Sequence, residues 1–145
     1  MTDSTRSNLL LSVKPKYLDK ILSGEKIVEI RRIRPRVGKE ATIVFYATSP
    51  KKQLIAFARI KSIKLSPPQD LWSLVGEESA LTRSEFLEYL SGCPLGVAIS
   101  FNDVVELDPP IPLSHLRILW PDFSPPQGHI FLTESQMQAF VPGAS

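Results

Sequence analysis

Four residues at fixed spacing, Gly24, Lys26, Glu29 and Arg31, carry most of the chemistry legible in this chain of 145 residues. Glu29 and Arg31 stand two positions apart in a segment that alternates like a β-strand. Both side chains therefore emerge on one face, where they bond to each other or share a ligand. The planar fork of an arginine suits a phosphate or a base edge. A glutamate accepts hydrogen bonds from base amino groups, or takes a proton as general base when burial raises its pKa. Lys26 falls on the opposite face of a regular strand, and joins the other two only if the chain turns near Gly24 and Glu25. The plainer alternative is a structural Glu29–Arg31 pair with Lys26 in solvent.

Further cations surround this group. Lys14 and Lys16 precede it, and Arg31, Arg32, Arg34 and Arg36 with Lys39 form a basic run beside it. Such a run is either a solvated loop or a track for phosphates. Tyr46, Phe57 and Trp72 are suited to stacking on a base, although aromatics in or beside β-runs ordinarily belong to a core. His115 and His129 lack the spacing of metal ligands, and neither a metal nor a cofactor is expected. Cys93 has no base near it in sequence to activate a thiol. No GxGxxG, P-loop or GxSxG pattern occurs.

The elements that must position these residues follow from periodicity. Residues 9–13 form an apolar strand, and Pro15 opens a helix whose stripe is Tyr17, Leu18, Ile21 and Leu22 and whose end is Ser23-Gly24. From Ile27 the chain alternates, with Ile27, Glu29, Arg31 and Ile33 on one face and Val28, Ile30 and Arg32 on the other, until Pro35 and Gly38 break it. Residues 41–47 are a buried strand, 48–51 a turn, and 54–65 a long strand. Ser66-Pro67-Pro68 starts a helix, and Thr82 with Glu85 makes a capping box before a second, stopped by Gly92. Residues 97–107 return to strand character, ended by Asp108-Pro109-Pro110. Thr133 and Gln136 box a short C-terminal helix, with rigid proline links around Pro121 and Pro125-Pro126. Strands without a repeating βα unit predict a mixed α+β domain around a small, partly closed β-barrel with short flanking helices. Its expected span is residues 9–141, with a flexible N-terminus at 1–8 and a tail at 142–145.

Charge is unevenly spread along the chain. Residues 1–64 hold 15 Lys or Arg against 5 Asp or Glu, a net +10, while residues 65–145 hold 2 against 10, a net −8. A basic segment of this kind suits a polyanionic partner, unless the two parts neutralise each other on contact. A single cysteine excludes a disulfide framework, and the longest apolar runs are of strand length, far short of the ~20 residues of a membrane helix. A soluble, cytoplasmic protein without membrane contact is expected.

The stretch at 10–32, LLSVKPKYLDKILSGEKIVEIRR, resembles the opening of the ASCH family, whose fold is PUA-like. Its G-x-K-x-x-E-x-R motif is met by Gly24, Lys26, Glu29 and Arg31, after the first helix and on the second strand. The segments VFYATSP and SPPQGHIFL also look like a prokaryotic branch of that family, so the likeness spans nearly the whole chain. The resemblance implies a cleft lined by the motif and a place in RNA metabolism. Some members bind RNA or nucleotides and others are hydrolases. Among the latter, N4-acetylcytidine amidohydrolases use a lysine, a threonine and a glutamate. Lys26 matches the lysine, but Glu29 stands at the threonine position, and Glu77 or Glu78 would have to supply the remote glutamate.

The expected function is therefore RNA or nucleotide binding, in a cleft of Lys26, Glu29 and Arg31 surrounded by Lys14, Lys16, Arg32 and Arg34. The alternative from another class is a hydrolase on RNA or a modified nucleoside with Lys26 and Glu29 as acid–base pair. A third reading, a ligand-sensing transcriptional regulator, lacks a helix-turn-helix signal.

Overall fold

The computed structural model describes residues 6–140. The first strand, β1 (Arg6–Val13), is apolar on both faces: Leu9 and Leu11 enter one core and Leu10 another, all fully buried. A strand covered on both sides belongs inside a sheet. β1 accordingly lies between β3 (Val37–Ala47), to which it runs parallel, and β6 (His129–Phe131), to which it runs antiparallel. Arg6–Asn8, expected to be part of a flexible N-terminus, are thus strand; residues 1–5 and the expected tail at 142–145 lie outside the described residues.

The full order is β2-β5-β4-β3-β1-β6, a six-stranded sheet completed by β2 (Val28–Arg31), β4 (Gln53–Ser66) and β5 (Gly96–Pro112). β4 and β5 pair antiparallel along their length, and their register slips at three places. Such bulges sharpen the local twist and bend both strands, curling the sheet into a half-barrel. The prolines expected to end β5 lie inside it: Glu106 pairs with Ala56 and Ile111 with Leu54, so 107–110 bulge out of the ladder where a missing N–H costs nothing.

Among the described residues, five helices cover the sheet. α1 (Pro15–Ser23) packs Leu18 and Ile21 onto the core formed by Leu9, Leu11, Ile43, Phe45 and Ile99. Burying two such side chains is worth roughly 1.5–3 kcal/mol each. α2 (Pro68–Val75), a single 3-10 turn (Glu77–Ser79) and α3 (Arg83–Tyr89) form an insert whose Leu71, Val75, Phe86 and Leu90 cover Val28, Ile30 and Ala98. α3 starts at the expected box, with Thr82 Oγ1 accepting from the Glu85 N–H and Glu85 Oε1 from the Thr82 N–H. α4 (Leu113–Leu119) and α5 (Glu134–Phe140) cover the face turned away from α1, around Leu10, Val44, Tyr46 and Leu54. α4 and β6 carry no expectation from sequence, whereas α5 begins at the Thr133–Gln136 box. Among the described residues, no helix is long and apolar enough to cross a membrane.

Candidate functional site

The turn that Lys26 requires is present. Gly24 caps α1 in the left-handed conformation at φ 86°, which a residue without Cβ adopts freely, and the Lys26 N–H returns to the Lys20 carbonyl. Lys26 therefore precedes β2 instead of alternating within it. Its side chain turns inward and is 1% exposed, which excludes a solvated lysine. Nζ donates to the Ser79 carbonyl at 2.6 Å, lies 3.5 Å from Glu29 Oε1 and sits 5.5 Å from the Tyr17 ring centre. Burial lowers the Lys26 pKa, and the Glu29 carboxylate opposes that shift by its charge and hydrogen bond.

β2 sends Glu29 and Arg31 to one side, as a period of two demands. Arg31 Nε donates to Glu29 Oε2 at 3.0 Å, and its Nη2 lies 2.7 Å from the same oxygen. Nη2 also donates to the Ser12 carbonyl at 2.6 Å. Glu29, its side chain 9% exposed, is thus held between two cations, with Lys26 on one oxygen and Arg31 on the other. Removing one partner of a buried pair costs about 3–5 kcal/mol, because the survivor is left uncompensated.

These three residues form the floor of a cleft of about 330 Å³. Small-ligand pockets begin at about that size. β1 and its continuation add Ser12, Val13 and Lys14, α1 adds Tyr17, the insert adds Leu81, Glu85 and Tyr89, and Thr48 and Gln127 complete the rim. Its lining holds three cations, Lys14, Lys26 and Arg31, against two carboxylates, Glu29 and Glu85, a surplus of one positive charge. Burial raises the Tyr89 phenol pKa, a shift that nearby Arg31 opposes.

Of the residues singled out by sequence, Lys14, Lys26, Glu29 and Arg31 line the cleft. Lys16, Arg32 and Arg34 do not, and their sites differ for physical reasons. Lys16 places its ammonium 4.9 Å from the Tyr17 ring centre. Arg32 Nη1 donates to the Tyr89 and Ser91 carbonyls at 2.6 and 3.0 Å, tying down the end of α3. Arg34 is exposed and makes no hydrogen bond or ion pair among the described residues. The acidic residue that the insert brings to the cleft is Glu85, whereas Glu77 and Glu78 are exposed and outside it. Tyr46 belongs to the core against Phe123, Trp72 packs edge-on to Phe86, and Phe57 is half-buried. Tyr17, Tyr89, Ser12 and Gln127 are lining residues that sequence did not single out. Tyr17 was legible only as part of the apolar stripe of α1. His115 is exposed and His129 half-buried, and no group of metal-ligating side chains occurs among the described residues.

Ion pairing does not cancel the charge asymmetry. Both ion pairs among the described residues, Lys26–Glu29 and Arg31–Glu29, lie within the basic segment, and none joins it to the acidic part.

A curated protein of Zymomonas mobilis, named ASCH domain-containing ribonuclease, is 33% identical over 142 residues, covering 97% of this chain and 95% of its own length. The chain belongs to the ASCH family. The crystal structure of ASCH from Zymomonas mobilis superposes with a TM-score of 0.90 at 32% identity, covering 97% of each chain. The fold is accordingly the PUA-like fold of ASCH proteins. A family described as a domain of unknown function, DUF365, matches residues 8–117. The N-terminal domain of Staphylothermus marinus McrB shares the fold alone, with a TM-score of 0.58 at 10% identity over 97% of both chains.

Proposed function

We propose that this ASCH chain binds RNA in the cleft and cleaves it. The observation that carries the reading is the Glu29 carboxylate, held between Lys26 and Arg31 at the floor of a cleft with a positive surplus. Phosphate is drawn by the surplus. Arg31 commits Nε and Nη2 to Glu29 and Ser12, which leaves Nη1 without a partner among the described residues. Tyr89 lines the cleft and supplies an aromatic side chain for stacking on a base, whereas the Tyr17 ring already meets Lys16 and Lys26.

Glu29 is the general base in this reading. It takes the proton of a ribose 2′-hydroxyl; the 2′-oxygen forms a bond to phosphorus as the P–O5′ bond breaks, and the departing O5′ is protonated by water. The products are a 2′,3′-cyclic phosphate and a 5′-hydroxyl. Lys26 does not act as the acid, because its ammonium is already directed to Ser79, Glu29 and the Tyr17 ring. Its part is to hold Glu29 in place. The name of the Zymomonas mobilis relative supports the ribonuclease reading over the amidohydrolase one, as does a glutamate where the amidohydrolases have threonine.

The test is to incubate the protein with an RNA and with the DNA of the same sequence, then resolve products and end groups. RNA cut to cyclic-phosphate ends, with DNA intact, is expected. Equal cutting of DNA overturns the 2′-hydroxyl step, and RNA bound but left intact reduces the proposal to a binding module.

A further inference from the structure

Immediately beyond the cleft floor the chain reads Arg32-Ile33-Arg34-Pro35-Arg36. We propose that this segment is a second RNA contact that guides the strand away from the cleft, Arg34 and Arg36 holding backbone phosphates and Ile33 resting against a ribose or base. The proposal deepens the RNA reading of the cleft and rests on it.

Several independent features converge on this segment. It is continuous with the site: Arg31 lines the cleft, and three residues at about 3.3–3.6 Å each keep Arg34 within roughly 10 Å of it. It is held at both sides, Arg32 by the Tyr89 and Ser91 carbonyls and the far side by buried Pro35 and by Val37, 4% exposed, where β3 begins, so its exposed side chains are presented from an anchored backbone. A preset surface loses less entropy on binding than a mobile loop. Arg34 and Arg36 are exposed and have no hydrogen bond or ion pair among the described residues, although the chain holds 15 carboxylates. Ile33, between them, is 72% exposed, an apolar side chain that contributes nothing to a core. Cations interleaved with an apolar tip match a single strand, which offers phosphates and sugar or base faces in alternation. Arg32 is excluded as a main contact, because its guanidinium already serves α3.

The experiment compares a labelled dinucleotide with a dodecamer, both 2′-O-methylated to remove the nucleophile, in anisotropy titrations at two salt concentrations. For R34A/R36A, dinucleotide affinity stays within about twofold of wild type, while the dodecamer weakens about tenfold and its log–log salt slope shrinks by about 1.4, the value for two phosphates. I33S weakens the dodecamer about threefold with the slope unchanged, since an apolar contact releases no counterions. Unchanged dodecamer binding by R34A/R36A overturns this proposal alone, and so does an equal loss for both ligands, which would mark damage to the cleft. Failure of wild type to bind either ligand overturns both this contact and the RNA reading of the cleft.

Discussion

Arg31 Nη2 donates to the backbone carbonyl of Ser12 at 2.6 Å. Arg31 ends β2, one edge of the sheet, whereas Ser12 lies on β1, next to the opposite edge. One guanidinium therefore fastens the two sides of the half-barrel, and because its Nε holds Glu29, the closure and the floor of the cleft share a residue.

Replacing Arg31 by lysine keeps the charge but not the fork, so the Glu29 and Ser12 bonds cannot both be made. Arg31→Lys is expected to lose about 1.5–3 kcal/mol of stability, lowering Tm by roughly 3–12 °C. Thermal unfolding by circular dichroism measures it, and a Tm within a degree of wild type would show that the closure contributes little.

Glu29→Gln is isosteric and removes the proton acceptor, and because it leaves Lys26 and Arg31 without their carboxylate it is assayed at a temperature where circular dichroism shows it folded. RNA cleavage should fall by about 10²–10⁴ while RNA affinity changes only a few-fold. Gel assays of cleavage alongside anisotropy titrations separate the two quantities; undiminished cleavage would remove Glu29 as base.

Arg32→Ala releases the two carbonyls at the end of α3. The pair is exposed, so the global loss should be small, about 1 kcal/mol. Local opening is the sharper signal. Amides of the insert, residues 68–92, should exchange with solvent faster while those of β3 and β4 keep their protection. Uniform change across all of them would show that Arg32 acts on the whole fold.

His129 on β6 has its pKa lowered from 6.5, by burial first and by Arg31 second. The unfolded chain then binds more protons than the folded one between the lowered folded value and 6.5. Stability therefore rises with pH through that window and is lost as the pH falls from 6.5 to the lowered folded value. Relative to His129→Gln, the wild type should weaken as pH drops from 7.5 to 5, followed by urea unfolding at each pH. Parallel curves would show that His129 does not titrate differently on folding.

The parts of this structure legible in sequence are those set by local periodicity. A spacing of two on a strand places Glu29 with Arg31 whatever surrounds them, and the Thr82 and Thr133 boxes mark helix starts because their bonds close within one turn. Lys26 was conditional because its direction depends on a left-handed Gly24, a backbone property that spacing does not encode. Arg32 and Lys14 were indistinguishable as cations; the carbonyls at the end of α3, far along the chain, decided which one faces the cleft. The prolines at 109–110 stopped the expected strand because pairing requires an N–H, and the bulge that absorbs them is a tertiary feature. β6 has three residues, too few for any pattern, and exists because the β1 edge is there to pair with.

The pairing of β1 with β6 also fixes when the protein becomes competent. During synthesis β1 emerges first, yet its two neighbours are β3, at 37–47, and β6, at 129–131. The Ser12 hydroxyl donates to the Pro126 carbonyl, and the Asn8 amide to Glu134, across separations of 114 and 126 residues. At about 5–20 residues per second, a ribosome takes several seconds to supply the strand that covers β1, and Gln127 at the cleft rim arrives with it. The nascent chain therefore exposes its basic segment before the cleft is finished, and completes the cleft only when β6 docks on β1.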